Sequence, residues 1–249
     1  MKKYKDIGVY DFSDSAPAYS ASNYDAYANY MSMQGRAKDE GDPNKYKDYN
    51  VLGSGKIKLT VIKEDTKTTS LDIEEYLIPE NTLNRQCKDV KAIKAIVIHW
   101  TEAPKQDPKV TIDYWSSENR IGNAHFVIGI DGKIYQAIPE NEQARHAGNN
   151  EGIYKNKATE LFGDGINPNV YSLGIEMEPL TSNGDFSPET YSSAVNLASS
   201  LCNKYSLNPE TSLIRHYDVT GKNCPKYFVN YENEWRLFKE NVIKAIGEQ

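Results

Sequence analysis

Two histidines and a cysteine are the residues of this sequence best suited to hold a metal ion. His99 closes the apolar run Ala95–Ile98, while His216 and Cys224 share the segment RHYDVTGKNCP at 215–225, just after Leu213 and Ile214. A thiolate and two imidazoles suit zinc, and three protein ligands leave the fourth position of a tetrahedral ion open for water. Such an open site is catalytic in type. The turn Thr220-Gly221-Lys222 can bring His216 and Cys224 back to one point. Spacing alone does not establish the site. A lone histidine after an apolar strand is more often a hydrogen-bonded structural residue, and a buried cysteine is usually a small hydrophobe, the reading given to Cys202 and Cys87.

The elements that must position these groups follow from the hydrophobic pattern. Ala95–Ile98 is a continuous apolar run, typical of a strand buried on both faces, and strand ends commonly build sites in α/β sheets. Asp107-Pro108 supplies an N-cap and first-turn proline for a helix through Val110, Tyr114 and Trp115. Phe126–Ile130 and Lys133–Ala137 form a hairpin across a two-residue Asp131-Gly132 turn. Residues 147–170, rich in Gly and Asn, read as a long surface loop. Leu173–Met177 is the next strand, with Glu176 and Glu178 two positions apart on one face. Ser187-Pro188 opens a helix with apolar residues at Tyr191, Val195, Ala198, Leu201, Cys202 and Tyr205. Leu213 and Ile214 make a short strand into His216, and Trp235, Phe238, Val242 and Ile246 mark a closing helix. Strands and helices alternate without strict βαβ order. The expected fold is α/β: a mixed, mostly buried β-sheet flanked by helices, with a poorly structured N-terminal extension.

That extension, residues 1–55, holds eight of the eighteen tyrosines and few aliphatics, so it cannot easily offset its ordering entropy. Residues 56–80 read as a small hairpin or apron, with Ile57, Leu59 and Val61 on its first strand and Leu71, Ile73 and Tyr76 on its second. Residues 81–249 form the third segment. A net charge of -6 argues against nucleic acid as the main partner. Three widely spaced cysteines are a poor disulfide framework. No stretch reaches the roughly 20 apolar residues of a membrane span, and the basic N-terminus has no apolar run behind it. The expectation is a protein made without a signal peptide, cytoplasmic or released by lysis, with a monomer favoured.

Five blocks occur in order: IVIHWT at 96–101, HFVIGIDGKIYQ at 125–136, RHAG at 145–148, SLGIEME at 172–178 and RHYDVTGKNCP at 215–225. Together, over roughly Tyr76 to Ile246, they resemble the type-2 N-acetylmuramoyl-L-alanine amidase family, which includes phage lysozyme-type amidases and peptidoglycan recognition proteins. The resemblance implies zinc ligation by His99, His216 and Cys224. It implies that Glu176 is the acid–base residue, with Glu178 left as the alternative or as a residue that orients it, and that Lys222 steadies the oxyanion, with peptidoglycan or muropeptides as the partner. Family members that bind without cutting often lack the cysteine, so Cys224 favours an enzyme. A cell-wall lytic amidase, a cytoplasmic recycling amidase acting on anhydromuropeptides and a non-catalytic binder are the alternatives it leaves. Departures exist too. Ala124 stands where many phage members carry a catalytic tyrosine, which leaves His125 as a core or metal-supporting residue with a secondary claim to substrate contact. Arg145 stands where an aromatic is usual, and both it and His146 are expected to contact substrate or line the groove.

Overall fold

The computed structural model describes residues 4–11, 49–52, 56–62, 71–117, 121–148 and 153–247. The chain divides into two units, Met1–Ser70 and Leu71–Gln249. In the first, β1 (Tyr4–Asp11) and β2 (Tyr49–Leu52) both pair antiparallel with β3 (Lys56–Ile62), giving the order β1-β3-β2. Within residues 1–55, β1 and β2 are the described parts of the extension. The rest of the tyrosine-rich extension lies outside the described residues.

The second unit is built on a six-stranded mixed sheet. Its first strand, β4 (Ile73–Glu75), does not return along β3 as a hairpin partner. It runs parallel to β7 (Ile134–Gln136) at one edge. The order continues through β6 (Phe126–Ile128), β8 (Ser172–Met177) and β5 (Ala95–Trp100) to β9 (Leu213–Arg215). Only β6 and β7 pair antiparallel. All six residues of β5 are buried, as a central parallel strand requires. The β6–β7 turn differs from a two-residue loop. Gly132 N–H donates to the Gly129 carbonyl at 3.0 Å, and Gly132 itself sits at φ +80°. This is the pattern of a turn closed by a left-handed glycine, and a side chain there would also collide with Ser193 and Glu189.

Helices cover both faces. Asp107 accepts from Lys109 N–H and opens α1 (Pro108–Trp115). Its buried face is Pro108, Thr111, Ile112 and Trp115, whereas Val110 and Tyr114 are exposed. Thr111 takes an inward position because its hydroxyl has an acceptor there, described below. The stretch at 147–170 is not all loop. It contains α2 (Asn156–Phe162), whose Ala158 and Phe162 pack on Ala95, Val97 and Ile214. A 3-10 turn (Pro168–Val170) then leads into β8. Helix α3 (Pro188–Lys204) is capped by Ser187, which accepts from Thr190 N–H, and it buries Tyr191, Val195, Ala198, Leu201 and Cys202 as the periodicity requires. The short α4 (Pro209–Ser212) precedes β9, and α5 (His216–Thr220) and α6 (Lys226–Asn230) follow it. The chain closes on α7 (Glu232–Gly247), with Trp235, Phe238 and Val242 buried. Among the described residues, no helix is long and apolar enough to cross a membrane.

Candidate metal centre

His99 lies one residue from the end of β5, level with Glu176 on the neighbouring parallel strand β8. Residues level on adjacent parallel strands share a face. On the other side of β5, Arg215 is level with Ile98, so the chain delivers His216 beside His99 as β9 gives way to α5. Arg215 fixes that junction. Its guanidinium forms a fork with both Asp218 oxygens at 2.9–3.0 Å, donates to the Phe228 carbonyl at 2.9 Å and reaches Glu232 at 2.6 Å. Gly221, left-handed at φ +85°, then ends α5 and turns the chain towards Cys224. The Tyr217 N–H donates to the Cys224 carbonyl at 2.9 Å and pins the returning segment.

The result is a converging donor set. His99 Nδ1 lies 3.1 Å from His216 Nδ1 and 3.7 Å from Cys224 Sγ, and all three ligand atoms fall within 4.8 Å of one another. Bonds of about 2.0–2.3 Å to a tetrahedral zinc require donor separations of roughly 3.3–3.8 Å. The His99–Cys224 separation falls in that range, the His99–His216 separation lies just below it, and the whole set converges within 4.8 Å, so small side-chain adjustments suffice for these residues to fit the ion. Burial, then His216, His146 and Lys222, hold His99 well below the ordinary histidine range. Burial and Lys222 likewise take His216 down to about 4. Both imidazoles are therefore neutral at physiological pH, the form that binds metal. Burial, then the Glu176 carboxylate, push the Cys224 thiol up; a divalent cation supplies the opposite field, which favours the thiolate.

Glu176 is half-buried beside this set, with Val127 of β6 level on its other side. Lys222 is more exposed and pairs with Glu102 at 2.8 Å. Burial opposes its charge, but Glu102, Cys224 and Glu176 outweigh that cost and keep the ammonium above the ordinary lysine value. Glu102 sits at φ +62°, a backbone region costly for a side chain of its size. No motif or spacing in the sequence singles out Glu102.

A family model described as N-acetylmuramoyl-L-alanine amidase matches residues 89–227, a stretch that runs from before His99 to beyond Cys224. The chain belongs to that family. It is 31% identical to the N-acetylmuramoyl-L-alanine amidase BlyA of Bacillus subtilis (strain 168), over 68% of this chain and 46% of that protein. It is 28% identical to a probable N-acetylmuramoyl-L-alanine amidase of Bacillus licheniformis over the same shares. The chain thus spans about half the length of the curated relatives it matches. The solved catalytic domain of XlyA shares its fold, with a TM-score of 0.53 and 23% identity over 69% of this chain and 99% of that one. A mutant endolysin from Bacillus subtilis gives a TM-score of 0.53 at 25% identity, over 70% of this chain and 99% of that one.

Within this amidase-family domain, the residues expected to meet substrate are placed unevenly. His125 is fully buried, its Nε2 3.0 Å from the Glu142 carbonyl and its Nδ1 accepting from Gly174 N–H at 3.0 Å. Both nitrogens are engaged by backbone, so substrate contact at His125 is withdrawn. Burial takes its pKa down to about 4, so it is a neutral core imidazole. The carbonyl it uses is anchored in turn, because Arg85 grips Glu142 through two bonds of 2.8 and 2.9 Å. His146 is also buried, 3.0 Å from His99 and 3.4 Å from the Ser172 carbonyl, and it too leaves the substrate set. Arg145 is half-buried and lines a cavity of about 380 Å³ with Asn84, Lys88, Gly148, Asn167 and Asn169.

Glu178 has a different place from Glu176. It is fully buried just beyond β8 and accepts from Thr101 at 2.6 Å and Thr111 at 2.8 Å. It therefore ties the end of β5, two residues past His99, to α1. Burial, only partly offset by the two hydroxyls, pushes its pKa up to about 7. Above the unfolded value of roughly 4.3, the folded state holds this proton more tightly than the unfolded chain does. Its contribution to stability therefore falls as pH rises, by about 3 kcal/mol between roughly pH 4.3 and 7. The buried histidines slope the other way, so the comparison must be between proteins. Relative to Glu178→Gln, the wild-type protein is expected to lose thermal stability steadily across that window. Parallel melting-temperature profiles for the two would contradict this.

Proposed function

We propose that this chain is a zinc-dependent amidase hydrolysing the bond between the lactyl group of N-acetylmuramic acid and L-alanine in peptidoglycan. The observation that carries the reading is the convergence of His99, His216 and Cys224, with Glu176 level with His99, inside a domain of the amidase family. The named activities of the relatives support the substrate. Bound zinc would lower the pKa of a water from about 15.7 towards about 7 and polarise the lactyl carbonyl.

The chain's own groups then divide the work. The Glu176 carboxylate takes the proton of the attacking water as the new C–O bond forms. It returns that proton to the departing L-alanine nitrogen as the C–N bond breaks, leaving a lactyl carboxylate and a free amine. The Lys222 ammonium, held by Glu102, faces the negative charge that develops on the carbonyl oxygen. Arg145 offers a planar fork for a stem-peptide carboxylate. A pure binding module needs neither a metal-ligating thiol nor a carboxylate at this point.

Digestion of purified peptidoglycan tests the reading. The expected products are glycan strands of unchanged length and peptides with new L-alanine amino termini. New reducing ends, or new termini inside the stem, would refute it. Running soluble anhydromuropeptides beside intact sacculi separates a recycling amidase from a lytic one.

A further inference from the structure

The chain has four histidines, and all of them lie in one line of contacts. Ring centroids are 5.6 Å apart for His125–His146, 5.2 Å for His146–His99 and 4.7 Å for His99–His216. Two of these residues belong to the proposed metal site and His125 is tied to backbone. His146 is left without a role.

The protons on this line can be assigned from its far end. The Ser172 hydroxyl has one proton, and it donates that proton to the Pro168 carbonyl at 2.8 Å. Towards His146 Nε2, 3.3 Å away, the Ser172 oxygen can then only accept, as can the Ser172 carbonyl at 3.4 Å. His146 Nε2 must therefore carry a proton. The ring is buried, and its partners are a hydroxyl, a backbone carbonyl and another imidazole, none of them an anion that would hold a second proton, so its Nδ1 bears a lone pair. That lone pair faces His99 Nε2 at 3.0 Å, which must be the donor. His99 is buried among two imidazoles and a thiol, with one proton to place, so donating it from Nε2 leaves an unprotonated Nδ1, the atom directed at His216 and Cys224.

We propose that His146 is a positioning residue that selects the His99 tautomer able to bind metal. The inference rests on the zinc reading above for its purpose, though not for its geometry. Gly174 makes the arrangement possible. A Cβ there would lie 2.7 Å from His146 Cγ and 2.8 Å from Nδ1, so only glycine lets the ring lie against β8. Partners of this kind fix ring orientation and tautomer at metal sites, and losing one costs about 10–100-fold in metal affinity.

Two measurements test the proposal on the full chain. With only four histidines to assign, long-range proton–nitrogen NMR on the metal-free protein reads each ring directly. His99 is expected to carry its proton on Nε2, and a proton on Nδ1 would overturn the proposal. The second is a zinc titration against a competing chelator. His146→Leu is expected to bind about 10–100-fold more weakly. His146→Asn places a carbonyl oxygen near the position of Nδ1 and is expected to recover most of that loss. Equal losses in the two variants would show that His146 only fills space, and unchanged affinity in both would show that it does nothing for the metal. Wild-type protein that takes up no zinc would instead refute the metal reading, while the NMR result would still decide the tautomer.

Discussion

Glu176→Gln is expected to lower turnover by about a hundred- to ten-thousand-fold while zinc binding stays at the wild-type level. The substitution keeps the volume and polar shape of a half-buried side chain level with His99, and it replaces none of the three proposed ligands. What it removes is the capacity to take a proton from water and hand it to the leaving amine. Glu178 cannot supply this capacity. Its two oxygens accept from Thr101 and Thr111, and it is fully buried. The measurement is the rate of amine release per zinc-loaded protein. Near-normal turnover with metal in place would remove Glu176 from the acid–base role.

Cys224→Ala is expected to abolish activity by a different route, through loss of the metal. Two imidazoles remain, and the anionic, softest member of the donor set is gone. The affinity loss should exceed the about 10–100-fold typical of residues that only support a ligand. The thiol is small and its replacement vacates little volume, so a folded but metal-poor protein is expected. Metal content after dialysis, with the circular dichroism spectrum as a check on folding, reads this directly. Stoichiometric zinc in a folded Cys224→Ala protein would mean that the three-ligand set is wrong.

The two variants fail differently because the residues reach the site differently, and this also decides what could be read from sequence. His99, His216 and Cys224 stand where apolar strands end or a glycine turns the chain, and both signals are local. The β6–β7 hairpin, the capped helix at Ser187 and the closing aromatic helix were legible for the same reason. Failures came where a distant partner decided the outcome. Thr111 rather than Val110 or Tyr114 faces inward because Glu178, from beyond β8, accepts its hydroxyl. The strand Ile73–Glu75 pairs with β7, some sixty residues away, and nothing in three residues encodes that choice. Helix α2 hides in a glycine- and asparagine-rich stretch because only Ala158 and Phe162 of it need bury.

The site shows the same division. Asp218, inside RHYDVTGKNCP, clamps Arg215, a contact that the order of residues does not by itself encode. His146 was visible as a residue of interest, but its direction was not. It reaches His99 because Gly174 leaves space on the intervening strand, a contact that spans three separate segments. His125 looked like a site residue because of its type, and two backbone partners absorb it.

The most direct test of the central claim is a metal-depletion and refilling experiment on the wild-type chain acting on purified peptidoglycan. Protein stripped with a chelator and freed of it should release no L-alanine amino termini, and activity should return in proportion to added zinc, reaching its plateau near about one ion per chain. Full amine release by the stripped protein, or zinc uptake with no release at any loading, would contradict the account.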